Sequence, residues 1–314
     1  MSDPLVPTGF SAHVATLTPS DLEVGQPYAT SGSAWLRRLP QLLDNLLAEW
    51  GLIPSGPSWS GSCAVVVPVR TDVGPAALKV SWPHAEVATE HLALRHWDGR
   101  GAVRLLRADP RRFALLLERL DPTDLTHVEI DEACEVLGSI LSQLSSPALP
   151  QTPTLSAYAA RLLTSLDAAA PGPLPRRFVE QARHLVRDLA NSPSNSPSSS
   201  PGLDARLLHT DLHYANVLRA ERQHWLAIDP KPMAGDPAFE VAPALWNRFD
   251  ELGTGSSIRW GLRRRLEIIC EAAAIDQDRA RAWAIVREVD NALAEPSGSD
   301  GVRLAVAIIK AMNE

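Results

Sequence analysis

The change of pattern at Asp121-Pro122 limits what this chain can fold into more than any other feature. Ahead of it, Leu39, Leu43, Leu46, Leu47 and Trp50 recur at helical spacing. This predicts an amphipathic helix that stops at Gly51, with Pro40 in its first turn, where a missing N–H does no harm. Cys63 to Val69 and Ala76 to Val80 read as two strands joined by the turn Thr71-Asp72-Val73-Gly74. A second helix is expected over Ala85 to Trp97, and a second strand pair at Ala102 to Leu106 and Phe113 to Leu117. Beyond Pro122 the apolar residues fall three or four apart, predicting helices near Asp131 to Leu144, Thr154 to Leu166 and Pro175 to Leu189, with Asp131 and Thr154 as N-caps. A segregation of this kind implies an α+β architecture in two parts, β-rich over residues 1–118 and mainly helical over 119–314.

With 314 residues, 45% of them apolar and 21% charged, the chain has enough material for two such parts around buried cores. Its longest apolar runs, Phe113 to Leu117 and Leu304 to Ile309, fall short of the roughly 20 residues that cross a bilayer, so no membrane span is expected. The start, Met1-Ser2-Asp3-Pro4, has neither a basic nor an apolar export signal, and a cytoplasmic location is the expectation. Cys63, Cys134 and Cys270 are widely spaced, which argues for neither a disulfide framework nor a zinc site. A net charge of −7 disfavours nucleic acid as a partner and would suit a cationic small molecule better. Residues 191–202, almost all Ser, Pro, Asn and Gly, cannot bury apolar area and are predicted to form a surface loop.

After that loop come short apolar pieces at Arg206 to Leu208, Val217 to Leu218 and Trp225 to Ile228, with the polar residues concentrated in the turns joining them. The run His209-Thr210-Asp211-Leu212-His213-Tyr214-Ala215-Asn216 followed by Ile228-Asp229-Pro230 is the strongest chemical signal in the chain. Phosphoryl transfer needs a carboxylate to orient or receive the acceptor proton, and hard oxygen ligands to hold Mg²⁺ on phosphates. Asp211, Asn216 and Asp229 supply those residue types in the order of a kinase catalytic loop. His209 and His213 read as scaffolding of the loop, because a His-x-x-x-His pair without a carboxylate or thiolate ligand nearby rarely marks zinc.

This pattern, His-x-Asp-x-x-x-x-Asn with a later Asp, resembles the aminoglycoside phosphotransferase superfamily, relatives of the protein kinases. Trp35-Leu36-x-x-Leu39-Pro40, Trp97-Asp98-Gly99-Arg100-Gly101-Ala102-Val103-Arg104-Leu105-Leu106, Leu115 to Leu120 and Ala227-Ile228-Asp229-Pro230-Lys231-Pro232 narrow it to the streptomycin 6-phosphotransferase and hydroxyurea phosphotransferase family of antibiotic-resistance kinases. The resemblance implies a protein-kinase-like two-lobed fold with the active site between the lobes. It also implies ATP and Mg²⁺ as cofactors, Asp211 as catalytic base, and Asn216 and Asp229 as metal ligands. The acceptor would be a hydroxyl of an aminoglycoside such as streptomycin, or of hydroxyurea. A metabolite kinase acting on a sugar, choline or homoserine is the alternative, and a nucleotide-binding pseudokinase a weaker one.

Lys79, a lone charge in Ala77-Leu78-Lys79-Val80, asks for a partner. The resemblance gives it the nucleotide phosphates and a helical glutamate, Glu90 by family position with Glu86 as fallback. Gly61 and Ser62, in Ser58-Trp59-Ser60-Gly61-Ser62, stand where a phosphate-covering loop belongs and are read as that loop, with an ordinary turn as the alternative because it holds a single glycine. Glu118 and Leu120 flank the expected hinge, whose backbone groups would read the adenine edge. Asp236 and Glu240 read as acids at the start of a helix. Asp250 and Glu251 suit either a solvated helix face or a cationic-substrate pocket.

Overall fold

The computed structural model describes residues 5–20, 23–168, 172–191 and 202–313. The predicted Ser/Pro loop at 191–202, apart from its two end residues, lies outside the described residues. The chain forms two compact units, Met1–Gly99 with Val103–Asp121, and Arg100–Ala102 with Pro122–Glu314. Among the described residues no helix is long and apolar enough to cross a membrane.

The first unit is a six-stranded antiparallel sheet with helices packed on it. In chain order it contains α1 (Thr8–Val14), α2 (Gly32–Trp50), β1 (Ile53–Pro54), β2 (Trp59–Ser60), β3 (Ala64–Thr71), β4 (Gly74–Ser81), α3 (Glu90–Trp97), β5 (Leu105–Asp109) and β6 (Ala114–Glu118). The strand order is β1-β3-β4-β6-β5, with β2 also paired to β3. The core joins Trp35, Leu39, Leu43 and Leu46 of α2 to Val65, Val67 and Val69 of β3 and to Ala76, Leu78 and Val80 of β4. Each buried Val or Leu contributes roughly 1.5–3 kcal/mol of apolar transfer. Side chains alternate across a strand. With Ala76, Leu78 and Val80 committed to the α2 side, Lys79 points from the opposite face of β4.

The structure corrects several sequence expectations here. Helix α2 begins at Gly32, capped by Ser31, whose hydroxyl accepts from Ala34 N–H at 3.3 Å. Pro40 therefore sits well inside the helix, not in its first turn; Trp35, one turn before Leu39, carried the upstream apolar face. The helix stops at Gly51, which adopts the left-handed conformation (φ 63°) that glycine tolerates. Helix α3 starts at Glu90, and Ala85–Val87 form a separate 3-10 turn. Strand β5 lies at Leu105–Asp109 because Ala102 pairs instead with Ala227, in the second unit.

The second unit is helical around three small strand pairings. It contains α4 (Ile130–Leu144), β7 (Ser146–Pro147), α5 (Leu155–Ala168), α6 (Arg176–Asn191), β8 (Arg206–Leu208), β9 (Val217–Arg219), β10 (Trp225–Ala227), β11 (Met233–Gly235), α7 (Ala242–Trp246), α8 (Ser256–Ala273), α9 (Gln277–Leu293) and α10 (Asp300–Asn313). Glu129, not Asp131, caps α4, accepting from the N–H groups of Asp131 and Glu132 at 2.8 and 3.2 Å. Thr154 caps α5 through Ala157 N–H at 3.2 Å. Helices α4 and α8 cross closely at Gly138: a Cβ there would stand 2.6 Å from Ala272 Cβ and 2.7 Å from the Ile269 carbonyl oxygen. Strand β8 pairs with β11, and β9 with β10, so the chain between β8 and β9 forms a loop bounded by hydrogen-bonded strands.

Candidate active site

In the first unit, alternation along β4 turns Lys79 toward α3, where its ammonium meets Glu90 Oε1 at 2.6 Å with both side chains buried. Desolvating two charges is costly unless they meet in good geometry. Glu86, the fallback partner, lies in the 3-10 turn before α3. Gly61 and Ser62 occupy the exposed turn between β2 and β3, closed by Gly61 N–H to the Ala64 carbonyl at 3.0 Å. Glu118 ends β6 with its N–H on the Arg104 carbonyl at 3.0 Å and its carboxylate on Arg104 N–H at 2.6 Å. Half-buried Leu120 follows it beyond the strand.

In the second unit the segment between β8 and β9 brings Asp211 and Asn216 together. Asn216 Nδ2 donates to the Asp211 carbonyl at 2.9 Å and, more weakly, to Asp211 Oδ2 at 3.4 Å. With its amide N–H groups so used, Asn216 keeps its amide oxygen as a ligand atom. Residue 228 draws the later aspartate to the same place: Ile228 N–H donates to the Asn216 carbonyl at 2.9 Å, and Ile228 O accepts from His209 Nε2 at 2.9 Å. Asp229 then takes a left-handed backbone (φ 56°), uncommon for a residue with a side chain and concentrated at functional sites. A carboxylate and an amide oxygen are hard donors that suit Mg²⁺, which keeps phosphate oxygens and waters in its remaining positions. Among the described residues no group of three or more His, Cys, Asp or Glu could hold a metal.

His209 is a scaffold. It is wholly buried, and burial pushes its imidazole down to about 4, so it stays neutral at ordinary pH. Donating from Nε2 to Ile228 O leaves Nδ1 as the acceptor facing Asp211 N–H at 3.4 Å, so one tautomer satisfies both contacts. His213 Nε2 stands 4.0 Å from Asp211 Oδ1, and burial lowers its affinity for a proton. Tyr214 anchors the middle of the loop, its hydroxyl donating to Ala244 O at 3.2 Å and lying 3.4 Å from Cys134 Sγ of α4.

Three side chains that sequence reasoning left out of the site complete it. Glu240, read there as a helix-capping acid, turns into the loop: Oε1 accepts from His209 N–H at 2.7 Å and Oε2 from Thr210 N–H at 3.2 Å. Burial pushes its carboxyl up to about 7, against the two N–H groups and the Arg287 guanidinium, which favour the charged form. Arg287 of α9 donates to the carbonyls of Thr210 and Phe239, each at 3.2 Å, with its guanidinium 4.4 Å from the Phe239 ring centroid. Thr210, held from both sides, has φ 61°. Lys231 reaches Asp211 Oδ2 at 2.7 Å. The one hint in the sequence was an acid among apolar neighbours, Phe239-Glu240-Val241; Arg287 gave none. Asp236 does cap, accepting from Ala238 N–H at 3.0 Å. Glu251 is paired with Arg248 at 2.7 Å, so its charge is already matched.

A family model described as aminoglycoside/hydroxyurea antibiotic resistance kinase matches residues 49–296. The streptomycin 6-kinase of Streptomyces glaucescens is 39% identical over 87% of this chain and 90% of its own length. The hydroxyurea phosphotransferase of Kitasatospora aureofaciens is 41% identical over 84% of this chain and 75% of its own. Among solved structures, the aminoglycoside phosphotransferase APH(4)-Ia has a similar fold, with a TM-score of 0.55 at 15% identity over 87% of this chain and 98% of that one.

Proposed function

The chain belongs to the aminoglycoside/hydroxyurea antibiotic resistance kinase family, and from that membership we propose that it transfers the γ-phosphoryl group of ATP to a hydroxyl of a small molecule, an aminoglycoside of the streptomycin type or hydroxyurea. The observation that carries this reading is the clamp on Ile228. By bonding to both His209 and Asn216, it sets Asp229 beside the loop that holds Asp211.

In this reading Asp211 orients the acceptor hydroxyl. Its Oδ2 is occupied by Lys231 and Asn216, while Oδ1 has His213 no nearer than 4.0 Å and is the atom that accepts from the substrate. Asn216 and Asp229 would hold Mg²⁺, which when bound neutralises charge on the phosphate oxygens. Lys79, steadied by Glu90, offers its ammonium to the nucleotide phosphates, and the Gly61-Ser62 turn offers backbone N–H groups. Glu118 has given its N–H to the sheet, which makes the Leu120 backbone the better reader of the adenine edge. Positioning and fixed charge supply most of the acceleration in such chemistry.

The test is acceptor-dependent ADP release across streptomycin-type aminoglycosides, hydroxyurea and common hydroxylated metabolites, with the phosphorylated atom located by mass spectrometry. Asp211→Asn should bind nucleotide as the parent does and turn over roughly 10²- to 10⁴-fold more slowly. ADP release stimulated only by a sugar, choline or homoserine would move the assignment to a metabolite kinase.

A further inference from the structure

The Lys231 contact is the feature of the site that the reading above leaves without a task. Its ammonium lies 2.7 Å from Asp211 Oδ2, and at 33% side-chain exposure against 19% it is the more open partner of the pair. Its backbone is fixed at both polar groups: Lys231 N–H donates to the His209 carbonyl at 2.9 Å, and Lys231 O accepts from Thr210 Oγ1 at 2.6 Å. Pro230 and Pro232 on either side restrict the chain further. A lysine held this firmly for a partly exposed ion pair gains the fold little, because such pairs add little stability. Rigid presentation of a charge is what a reacting site requires.

A cation on the candidate base also looks counterproductive at first, since it draws electron density from the carboxylate. Phosphoryl transfer removes the objection. Its transition state is loose, bond formation to the acceptor is slight, and charge is spread over the three equatorial oxygens of the moving group, so base strength matters less than positive charge close to those oxygens. When the acceptor hydroxyl sits on Asp211 Oδ1 at about 2.7 Å, an ammonium on the other carboxylate oxygen is within roughly 5–6 Å of the attacking oxygen. That is within reach of the phosphoryl group arriving on it.

We propose that Lys231 is a catalytic residue of this kinase: besides holding Asp211, its ammonium donates to an equatorial oxygen of the phosphoryl group in flight. This rests on the phosphotransferase reading and adds to it. The acceptor oxygen forms its bond to phosphorus as the bond to the β-phosphate bridging oxygen breaks, with that electron pair leaving on ADP. The hydroxyl proton passes to Asp211, and Lys231 keeps its own protons throughout.

The experiment compares Lys231→Met and Lys231→Arg with the parent. Calorimetry measures the affinity for ADP with Mg²⁺, with and without aluminium fluoride, which mimics the flat anionic group in transfer. A second measurement is ATP hydrolysis with no acceptor present, where Asp211 has no substrate hydroxyl to orient. Lys231→Met should bind ADP within about twofold of the parent, lose at least about tenfold of any fluoride-dependent tightening, and hydrolyse ATP roughly 10²-fold more slowly, with KM values little moved. Lys231→Arg, which keeps the charge, should recover part of each loss. If Lys231→Met hydrolyses ATP at the parental rate without acceptor, Lys231 acts only through Asp211 and the proposal is overturned, whatever happens to acceptor turnover. A parent protein that binds no nucleotide would instead remove the kinase reading itself, a result distinct from any behaviour of the variants.

Discussion

Replacing Gly138 by Ala sets two effects of opposite sign against each other. Gly138 lies within α4, and on propensity alone an alanine in a helix interior stabilises by up to about 1 kcal/mol. At the crossing with α8, however, the new methyl would stand 2.6 Å from Ala272 Cβ and 2.7 Å from the Ile269 carbonyl oxygen, where ordinary contacts begin near 3.4 Å. The helices must part by something under 1 Å, and because one obstacle is backbone, no side-chain rotation relieves it. Overpacking of this kind costs about 1–3 kcal/mol, more than the propensity gain over most of that range. We expect a net loss of up to about 2 kcal/mol, read as a fall in melting temperature of up to about 8 °C for a unit of this size. Adding Ala272→Gly removes the methyl contact and leaves the carbonyl, so the double variant should regain only part of the loss. Cys134 of the same helix touches Tyr214 in the proposed catalytic loop, so turnover at 25 °C should fall as well. A Gly138→Ala protein that melts at or above the parental temperature would show that propensity wins and that the close crossing is not a constraint.

Glu240 takes up a proton on folding, since its carboxyl rises from an ordinary 4.5 to about 7. Its stabilising contribution is therefore full below about pH 4.5 and is lost as pH rises toward 7, by roughly 3 kcal/mol at 1.36 kcal/mol per unit. Glu240→Gln should be most destabilising near pH 5 and approach the parent by pH 8, and chemical denaturation showing a pH-independent difference would contradict this. Lys79→Met strands a buried carboxylate and should cost about 3–5 kcal/mol, while Lys79→Met with Glu90→Leu should restore the melting temperature but not turnover. Restored activity in that double variant would remove Lys79 from the nucleotide site. Asp229→Ala should weaken Mg²⁺-dependent ATP binding in calorimetry and leave metal-free nucleotide binding unchanged; an unaltered Mg²⁺ dependence would exclude it as a ligand. The KM of a cationic aminoglycoside should rise between 0.1 and 1 M salt, as the screening length shortens from about 10 to about 3 Å, whereas a salt-independent KM would argue for a neutral acceptor.

What was legible in the sequence was local or periodic. The β3–β4 hairpin followed from two apolar runs around Asp72-Val73, and a lone lysine in an apolar strand called for a partner at Lys79, although only the family resemblance pointed to Glu90 in preference to Glu86. Helix ends were read less well, because Ser31 and Glu129 act through side chains whose reach depends on the backbone entering each helix. Pro40 misled because proline is usually confined to a first turn, whereas the α2 core contacts begin upstream at Trp35. The supports of the proposed catalytic loop were largely hidden. Glu240 and Arg287 bind backbone atoms of His209 and Thr210, and an acceptor carbonyl or a donor N–H leaves no mark on the residue that carries it. Lys231 was visible as part of Pro-Lys-Pro, but only the turn that folds it back onto Asp211 reveals what it touches.

The hold of Arg287 on the Thr210 carbonyl spans 77 residues of sequence, and that separation orders events at the ribosome. Strand β8, which leads into the loop that carries Asp211, has its partner β11 complete once Gly235 has emerged, and the acidic prop arrives soon after at Glu240. The basic prop does not exist until most of α9 has been translated. A nascent chain short of Arg287 therefore carries every residue proposed for chemistry while Thr210 lacks one of the contacts that hold it at a positive φ. On the proposed assignment competence has to wait for α9, and a stop codon between residues 246 and 286 should yield a product with all its proposed reactive groups and little turnover.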